Sequence, residues 1–578
     1  MGNGVYTCEK ENYDVSRERI SGEDAGKWFF NQMRIGVEEE KEDKVREHME
    51  RCRDSWKQKA VSGEEIYPAA KPFYDLMISD SDELLGIFRR MPKGGLLHVH
   101  SAAALSTDGY LELLLTYCGK AETGGGPKIN VLTRGDNEGA KYIEGMLLFD
   151  YQCRNLPEEV KFRSLSEVIR NIRGRAWLKK MLSISDEYLG SKTDIWTAFN
   201  RIFARIDNLY TNRDFYIDYH VAFFQECVMD KINYVELRSG FQEFQDREEK
   251  NGKAWVYGER HSRYHVNRHL YYKELTQIVN VKDPDDSFLE ALLMAKDMAD
   301  PDGKHQLKFK VILNARRNLD PNKPEELDKL SKKVDAAIKI KESGNEKLKS
   351  LVIGFDFVSE EDRGQDTAFY ADQVIYKPFG YGYGGEGEDL RPRIQRIDFF
   401  LHDGESCWKA DDNMLSAALI SKHRIGHGFN LNWFSRLADE ILHGEKDAKS
   451  GLREPVLEIC PISNQLLRYY QDIRNHSAYE LMKNGICCVI ANDDPLLLGN
   501  GGLSYDFWEA YVGMELPYEA IKTSVFIAYL YQEYVYGEEY GCGELSPHPV
   551  YDRTKERFER EWGDFVDTVY QQLEKGGR

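Results

Sequence analysis

Two histidines separated by one residue, His98 and His100, end the apolar stretch MPKGGLLHVH. On a β-strand, side chains two residues apart point to the same side, so both imidazoles can face one ligand. A third histidine, His402, and an aspartate, Asp493, end two later apolar stretches. Three imidazoles and one carboxylate form a nitrogen and oxygen donor set that suits zinc, with a position left for water. The alternative is a set of unrelated buried polar residues at strand ends.

Other ionisable residues near these positions could transfer protons. Glu405 lies three residues beyond His402, where a carboxylic acid with a pKa raised by burial could donate a proton. His427 ends another apolar stretch and could orient or deprotonate a water molecule. Asp494 follows Asp493, and if the backbone turns there, one carboxylate can bind metal while the other contacts a substrate. The pattern predicts a metal-activated water, an acid and a base.

These residues lie at the ends of short apolar runs that are bounded by turns. Continuous apolar runs are typical of buried parallel strands. Eight runs, with helical patterns between the later ones, predict an α/β fold, a (β/α)8 TIM-type barrel whose site lies at the C-terminal ends of the strands. The runs span 94–100, 233–238, 308–315, 351–358, 397–404, 424–429, 456–463 and 487–494.

Two parts of the chain depart from the barrel pattern. Residues 1–90 are strongly charged and mostly helical in pattern, which predicts an N-terminal helical extension preceding a barrel over residues 91–578. Residues 106–195, roughly, separate the first two runs by more than one crossover needs, which predicts an inserted subdomain. The apolar cluster at Trp28, Phe29, Phe30 and Met33 needs a partner, either the barrel of the same chain or another subunit.

Composition narrows the class of protein. The 578 residues include 78 Lys and Arg against 98 Asp and Glu, a net charge of −20, which argues against a nucleic-acid binder. No apolar run approaches the roughly 18–20 residues of a membrane helix, so we expect a soluble protein without a membrane partner. The N-terminus lacks a signal-peptide pattern, which favours the cytoplasm, with a secreted form whose signal was removed as the alternative. The ten cysteines favour free thiols, and pairing of Cys118 with Cys153 stays open.

The motifs MPKGGLLHVH, FFLHDGE, RIGHGF and ANDDP, in this order, resemble the adenosine/AMP deaminase family of zinc amidohydrolases. The segments GFDFVSEEDRG, EICPISNQLL and DDPLLLGNGGLSYDFW are similar to its adenosine deaminase growth-factor type. The resemblance covers residues from about 80 to the C-terminus. It implies hydrolytic deamination of an adenosine-type purine nucleoside at C6, which releases ammonia and an inosine-type product. It also implies one zinc ion per subunit and a homodimer formed through the N-terminal helices.

The resemblance assigns roles to individual residues. Glu405 would protonate purine N1, His427 would position the attacking water, and Asp494 would hydrogen-bond N7. Ser359 matches a family glycine whose backbone N–H meets N3. Trp196 resembles a tryptophan that lines the pocket, with an ordinary core aromatic as the alternative. The zinc ligands would be His98, His100, His402 and Asp493.

The sequence departs from the family after the first two histidines. An aspartate that contacts the ribose usually follows them, whereas this chain has HVHSAAAL, as in AMP deaminases. Losing that negative charge would ease entry of a 5′-phosphate. Arg316 with Arg317, or the basic segment 165–179, could receive the phosphate. AMP or another adenine nucleotide is therefore the alternative substrate, and a non-catalytic growth-factor-like binding protein is the alternative of another class.

Overall fold

The computed structural model describes residues 38–64, 67–70, 82–134, 142–184, 194–244, 287–380, 391–409, 412–445, 454–537 and 549–576. The predicted apolar cluster at 28–33 lies outside these residues. Along the described ranges, no helix combines the length and the apolar character that a membrane crossing requires.

The strands alternate with helices along most of the chain. The strands are β1 Gly94–His100, β2 Ile129–Arg134, β3 Leu147–Phe149, β4 Lys161–Ser164, β5 Ile232–Ser239, β6 Lys308–Arg316, β7 Val352–Val358, β8 Asp398–Phe399, β9 His402–Asp403, β10 Arg424–His427, β11 Val456–Ile459 and β12 Cys488–Ile490.

Helices separate most of these strands along the chain. They are α1 Glu39–Val61, α2 Glu83–Arg90, α3 Thr107–Glu122, α4 Leu165–Ile169, α5 Ile172–Leu182, α6 Ile195–Tyr210, α7 Arg213–Met229, α8 Ser287–Ala299, α9 Pro324–Lys341, α10 Glu346–Leu351, α11 Thr367–Tyr370, α12 Asn413–Ile420, α13 Ser435–His443, α14 Pro461–Leu466, α15 Ala478–Lys483, α16 Pro495–Leu498, α17 Leu503–Trp508, α18 Tyr518–Gly537 and α19 Pro549–Gly576.

Two parallel sheets form the centre of the fold, in the orders β1-β5-β6-β7-β8 and β12-β11-β10-β9. The sheets meet beyond β12, where the His100 N–H donates to the Asp493 carbonyl over 2.9 Å and the Asp493 N–H donates to the His98 carbonyl over 3.2 Å. On the other side, β8 and β9 are consecutive in the chain, and the Phe400 N–H donates to the Phe355 carbonyl. The predicted α/β class with parallel strands is confirmed.

Each of the eight predicted runs contains a strand, because each run is apolar enough to be buried between helices. β1 is buried up to His100, and β10, β11 and β12 are buried throughout. The fifth run splits into the short strands β8 and β9, because at Leu401 the N–H bonds to the Ser421 hydroxyl instead of a neighbouring strand.

The segment between β1 and β5 contains a small sheet of its own. β2 pairs antiparallel with both β3 and β4, and α4 and α5 follow. Because a single crossover needs only one helix, this sheet is additional to the parallel strands.

The N-terminal helix α1 lies against the C-terminal part of its own chain. Only Val45 and Met49 of α1 are buried. Most of its other described contacts are polar, such as Lys41 Nζ with the Asp567 carboxylate at 2.9 Å. A helix with so little buried surface depends on the surface it packs against for its stability.

Candidate active site

The C-terminal ends of the strands bring together the histidines that the sequence singled out. Nitrogen or oxygen atoms of His98, His402, His427 and Asp493 lie within 4.8 Å of one another, and all four residues are buried. His100 joins them, since its Nε2 lies 3.1 Å from His402 Nε2 and 3.2 Å from Asp493 Oδ1. His98 Nε2 lies 3.3 Å from the same Asp493 oxygen.

Two buried carboxylates orient two of these imidazoles. His98 Nδ1 lies 2.8 Å from Glu458 Oε2, and His402 Nδ1 lies 2.6 Å from Asp356 Oδ2. A carboxylate that accepts the Nδ1 proton fixes the tautomer and leaves Nε2 free to bind a metal. Asp356 also accepts the His402 backbone N–H over 3.0 Å, so it holds both the ring and the chain of His402.

Two buried arginines neutralise these carboxylates. Arg238 donates through Nε to Asp356 over 2.8 Å and through Nη2 to Glu458 over 2.6 Å. Arg424 donates through Nε to Glu458 Oε1 over 2.7 Å and also contacts Glu236. Buried charges are stable only when they are paired and hydrogen-bonded, which this arrangement provides.

Sequence reasoning missed Asp356, Glu458 and Arg238. Asp356 and Glu458 interrupt the apolar runs GFDFV and VLEIC, and Arg238 ends the run NYVELR. The signal that could have found them is the charge itself, because a charged side chain inside a buried strand requires a partner. The sequence does not say which partner, since His98 and Glu458 are 360 residues apart.

Glu405 and His427 lie next to each other at this centre. His427 Nε2 lies 3.6 Å from Glu405 Oε2 and 4.0 Å from Asp493 Oδ2. Burial, with the negative charges of Asp493 and Glu361, raises the pKa of Glu405 well above its usual range. Burial also lowers the pKa of His427 well below its usual range. These shifts favour the protonated form of the Glu405 carboxyl and the neutral form of the His427 imidazole.

Three residues of the site have a backbone conformation that favours glycine. The φ angles are 95° at Ser359, 61° at His427 and 58° at Asp493. Side chains other than glycine are uncommon there and cost about 1–3 kcal/mol each. Ser359 thus has a backbone conformation that glycine adopts without strain.

A cavity opens above these residues. Trp196 lines it and donates from Nε1 to the Tyr469 hydroxyl over 3.1 Å. Asp494, Ser359 and Arg316 also line it. Sequence reasoning missed one further charged residue of the wall, Asp207 on α6.

The expectation that Arg316 and Arg317 both reach the cavity is wrong for Arg317. Arg316 is exposed and lines the cavity, whereas Arg317 is 1% exposed. Arg317 donates to the His402 carbonyl over 2.7 Å and to the Asp403 carboxylate over 3.0 Å, so it supports β9 and is closed to a substrate. Consecutive residues at a strand end point to opposite sides, which explains the difference. The basic segment 165–179 contributes no residue to the cavity wall.

The donor atoms fit a zinc ion. His98 Nε2 is buried, and its 3.3 Å contact with Asp493 Oδ1 lacks hydrogen-bond geometry, so this nitrogen has no hydrogen-bond partner within the described part of the chain. Burial lowers the pKa of His402 to about 3, so its ring is neutral, as a metal ligand must be. Together with the Asp493 carboxylate these are donors that zinc binds readily. The residues therefore form a buried group that can hold a metal ion.

Comparison with known proteins gives the family context. Adenosine deaminase 2 of Dictyostelium discoideum is 26% identical over 451 residues, which cover 77% of this chain and 70% of that protein. The chain is a sequence relative of adenosine deaminase 2. The Sus scrofa protein of that name is 26% identical over 78% of this chain and 76% of its own length, and the Homo sapiens protein is 25% identical over 78% and 75%. The predicted resemblance is thereby confirmed.

Other comparisons are more distant. No protein-family model matches the chain. The crystal structure of adenine deaminase from Arthrobacter aurescens aligns with a TM-score of 0.45 and 14% identity over 82% of this chain and 99% of that one. N6-methyl-AMP deaminase from Arabidopsis thaliana aligns with a TM-score of 0.44 and 14% identity over 82% and 98%.

Proposed function

We propose that the chain is a zinc-dependent hydrolase that removes the 6-amino group of adenosine-type purine nucleosides and releases ammonia. The observation that carries the proposal is that Glu405 Oε2 lies 3.6 Å from His427 Nε2, beside a buried group of imidazoles and a carboxylate that can hold a metal. The relatives named adenosine deaminase 2 support the same reaction. A non-catalytic binding protein would have no need of an acid with a raised pKa at this place.

The ligand set proposed for zinc is His98, His100, His402 and Asp493, with one ion per subunit. Bound zinc would polarise a water molecule and lower its pKa toward neutrality. His427 would orient that water and take up its proton. Glu405 would donate its own proton to purine N1, which makes C6 electrophilic.

The remaining proposed contacts hold the purine. Burial and the adjacent charge of Asp493 raise the pKa of Asp494 well above its usual range. This shift favours the protonated form of Asp494, which would donate a hydrogen bond to N7, an acceptor. The Ser359 N–H would donate to N3, and Trp196 would cover the ring at the cavity wall.

The substrate proposal is adenosine, because the wall carries a carboxylate as well as a guanidinium. Asp207 can accept a ribose hydroxyl, which offsets the missing aspartate after His100. Burial raises the pKa of Asp207 to about 6, and the positive charge of Arg316 opposes that rise. Arg316 favours AMP or another adenine nucleotide as the second candidate, since an exposed guanidinium can bind phosphate.

The test compares adenosine, 2′-deoxyadenosine, AMP and ATP by the change in absorbance on deamination. We expect adenosine to give the highest kcat/KM, and Asp207→Ala to raise its KM. If AMP gives a higher kcat/KM than adenosine and Arg316→Ala reverses that order, the nucleotide replaces adenosine as the proposed substrate.

Glu405→Gln should keep zinc and the fold but lose most turnover, with the exposed Cys407→Ser as the control. Near-normal turnover of Glu405→Gln would refute the assigned acid.

The architecture proposed for the site is a closed (β/α)8 barrel over residues 91–578, with an inserted subdomain at about 106–195. The hydrogen bonds between Asp493 and β1, and the continuity of β8 with β9, support closure.

We also propose a homodimer formed through residues 1–90. Light scattering of the full chain should give the mass of a dimer, and a chain beginning near Tyr67 that of a monomer.

The proposed compartment is the cytoplasm. Cys118 and Cys153 are both buried free thiols, as expected in a reducing environment. A secreted form remains the alternative. Fractionation of cells that produce the protein, with antibody detection in the medium, separates the two.

A further inference from the structure

A second group of metal-binding side chains lies at the N-terminal helices. His48 and Cys52 are four residues apart on α1, so they occupy one face of the helix. Glu83, the first residue of α2, faces them. His48 Nε2, Cys52 Sγ and a Glu83 oxygen lie within 4.8 Å of one another.

The separations of these donor atoms are close to those that a tetrahedral ion imposes. Zinc bonds of about 2.0–2.1 Å to nitrogen and oxygen and about 2.3 Å to sulfur place tetrahedral ligands roughly 3.3–3.6 Å apart. Cys52 Sγ lies 3.6 Å from His48 Nε2 and 3.8 Å from Glu83 Oε2. His48 Nε2 lies 2.9 Å from Glu83 Oε1. The two Glu83 contacts are made by different oxygens, so binding of an ion needs a rotation of the exposed Glu83 carboxylate and a widening of the His48–Glu83 separation by about 0.4 Å.

We infer that His48, Cys52 and Glu83 bind a divalent zinc-like ion. Thiolate, imidazole and carboxylate together are donors that zinc accepts. Three protein ligands leave the fourth position to water. That position faces solvent, since the Glu83 side chain is 62% exposed while His48 is 15% exposed.

The ion would fasten α1 to the entry of the catalytic strand. α2 ends at Arg90 and β1 begins at Gly94, so Glu83 is on the element that leads directly to His98 and His100. α1 otherwise has few buried apolar residues. A metal bridge at its middle would therefore add stability to a helix held mainly by polar contacts.

Hydrogen bonding alone explains the cluster less well. The His48–Glu83 contact is a sound hydrogen bond, but a thiol at 3.6 and 3.8 Å adds little to it. Arg51, beside Cys52 in the chain, pairs with Glu47 at 4.0 Å rather than with Glu83. No cation competes for the Glu83 carboxylate among the described ion pairs that involve it.

Cobalt distinguishes this cluster from the catalytic centre. The catalytic donors are nitrogen and oxygen only, so a thiolate-to-cobalt charge-transfer band in the near ultraviolet can arise only where a cysteine is a ligand. Titration of the full chain with Co²⁺ should produce that band and saturate at one thiolate-bound ion per chain. Cys52→Ser should abolish it, and Cys407→Ser should leave it unchanged. Excess Zn²⁺ should displace it.

Stability supplies the second measurement. With the catalytic centre already loaded, further Zn²⁺ should raise the Tm of the wild-type chain but not that of Cys52→Ser. Glu83→Gln, which keeps the thiol, should show the band with several-fold weaker Co²⁺ affinity. Absence of the band in the wild type, its persistence in Cys52→Ser, or equal affinity in Glu83→Gln overturns the site.

Discussion

Replacing Asp356 by asparagine tests whether the carboxylate prepares His402 for metal binding. The wild-type side chain accepts three hydrogen bonds, from His402 Nδ1, the His402 N–H and Arg238 Nε. Asparagine has one acceptor oxygen and one NH₂ group. If the oxygen faces the ring and Arg238, the NH₂ faces the backbone N–H; if it is turned round, the NH₂ faces both of the other donors. At least one donor therefore loses its partner in either orientation.

We expect Asp356→Asn to lower both the free energy of unfolding and the affinity for zinc. Arg238 keeps Glu458, so we expect a loss of about 3 kcal/mol in the free energy of unfolding, at the low end for a broken buried ion pair. Zinc affinity should fall about 10–100-fold, as for other carboxylates behind a ligand histidine. That corresponds to roughly 1.4–2.8 kcal/mol of binding free energy. Excess zinc should restore part of the turnover.

The assay is competition for zinc with a chromophoric chelator, alongside denaturant unfolding of the metal-free chain. Asp335→Asn is the matched control. Asp335 is also buried and accepts from Arg393 over 2.7 and 2.9 Å and from the Gly380 N–H over 3.0 Å, but neither of these partners belongs to the site. It should lose stability without losing zinc. Equal zinc affinity in both variants would refute the role assigned to Asp356.

Two other predictions concern stability. Asp82 caps α2 by accepting the Leu85 N–H over 2.8 Å, and it also accepts a hydrogen bond from Trp508 Nε1. Asp82→Ala should therefore lower the free energy of unfolding by about 1–2 kcal/mol in denaturant unfolding and leave kcat/KM unchanged. An unchanged free energy of unfolding would contradict the assigned cap. Burial raises the pKa of Glu509 to about 8. Between about pH 4.5 and 8 the folded protein therefore holds a proton that the unfolded chain has released. The free energy of unfolding falls as pH rises through that window. Glu509→Gln should flatten this decline, which amounts to about 1.4 kcal/mol per pH unit at most, and an unchanged slope would exclude Glu509 as its source.

Local patterns predicted much of the fold. The eight apolar runs all contain strands, since burial on both faces leaves a continuous apolar signal. Strand boundaries were less predictable: the fifth run divides because one backbone N–H bonds to the Ser421 side chain, a contact with no local signature. The spacing of His98, His100 and His402 at strand ends predicted that they would meet.

The sequence did not indicate which side chains these residues contact. The charged residue within GFDFV indicates that Asp356 needs a positively charged partner. That partner, Arg238, lies 118 residues earlier in the chain, so no local pattern identifies it. Arg316 and Arg317 look equivalent in sequence, yet one lines the cavity and the other is buried beneath it. Such distinctions depend on which side of the strand end each residue occupies.

The buried contacts of Glu458 have an evolutionary consequence. Its two oxygens engage His98, Arg238 and Arg424 at once. A single replacement at any of these positions leaves a buried charge without its partner. Joint replacement by apolar residues removes the penalty only if it extends to Asp356 and Glu236, which the two arginines also hold. Substitutions there are therefore epistatic, and a lineage can leave this arrangement only by a concerted change that also removes the support of His98. These positions should be inherited as a block, retained together wherever the metal is needed and lost together where it is not.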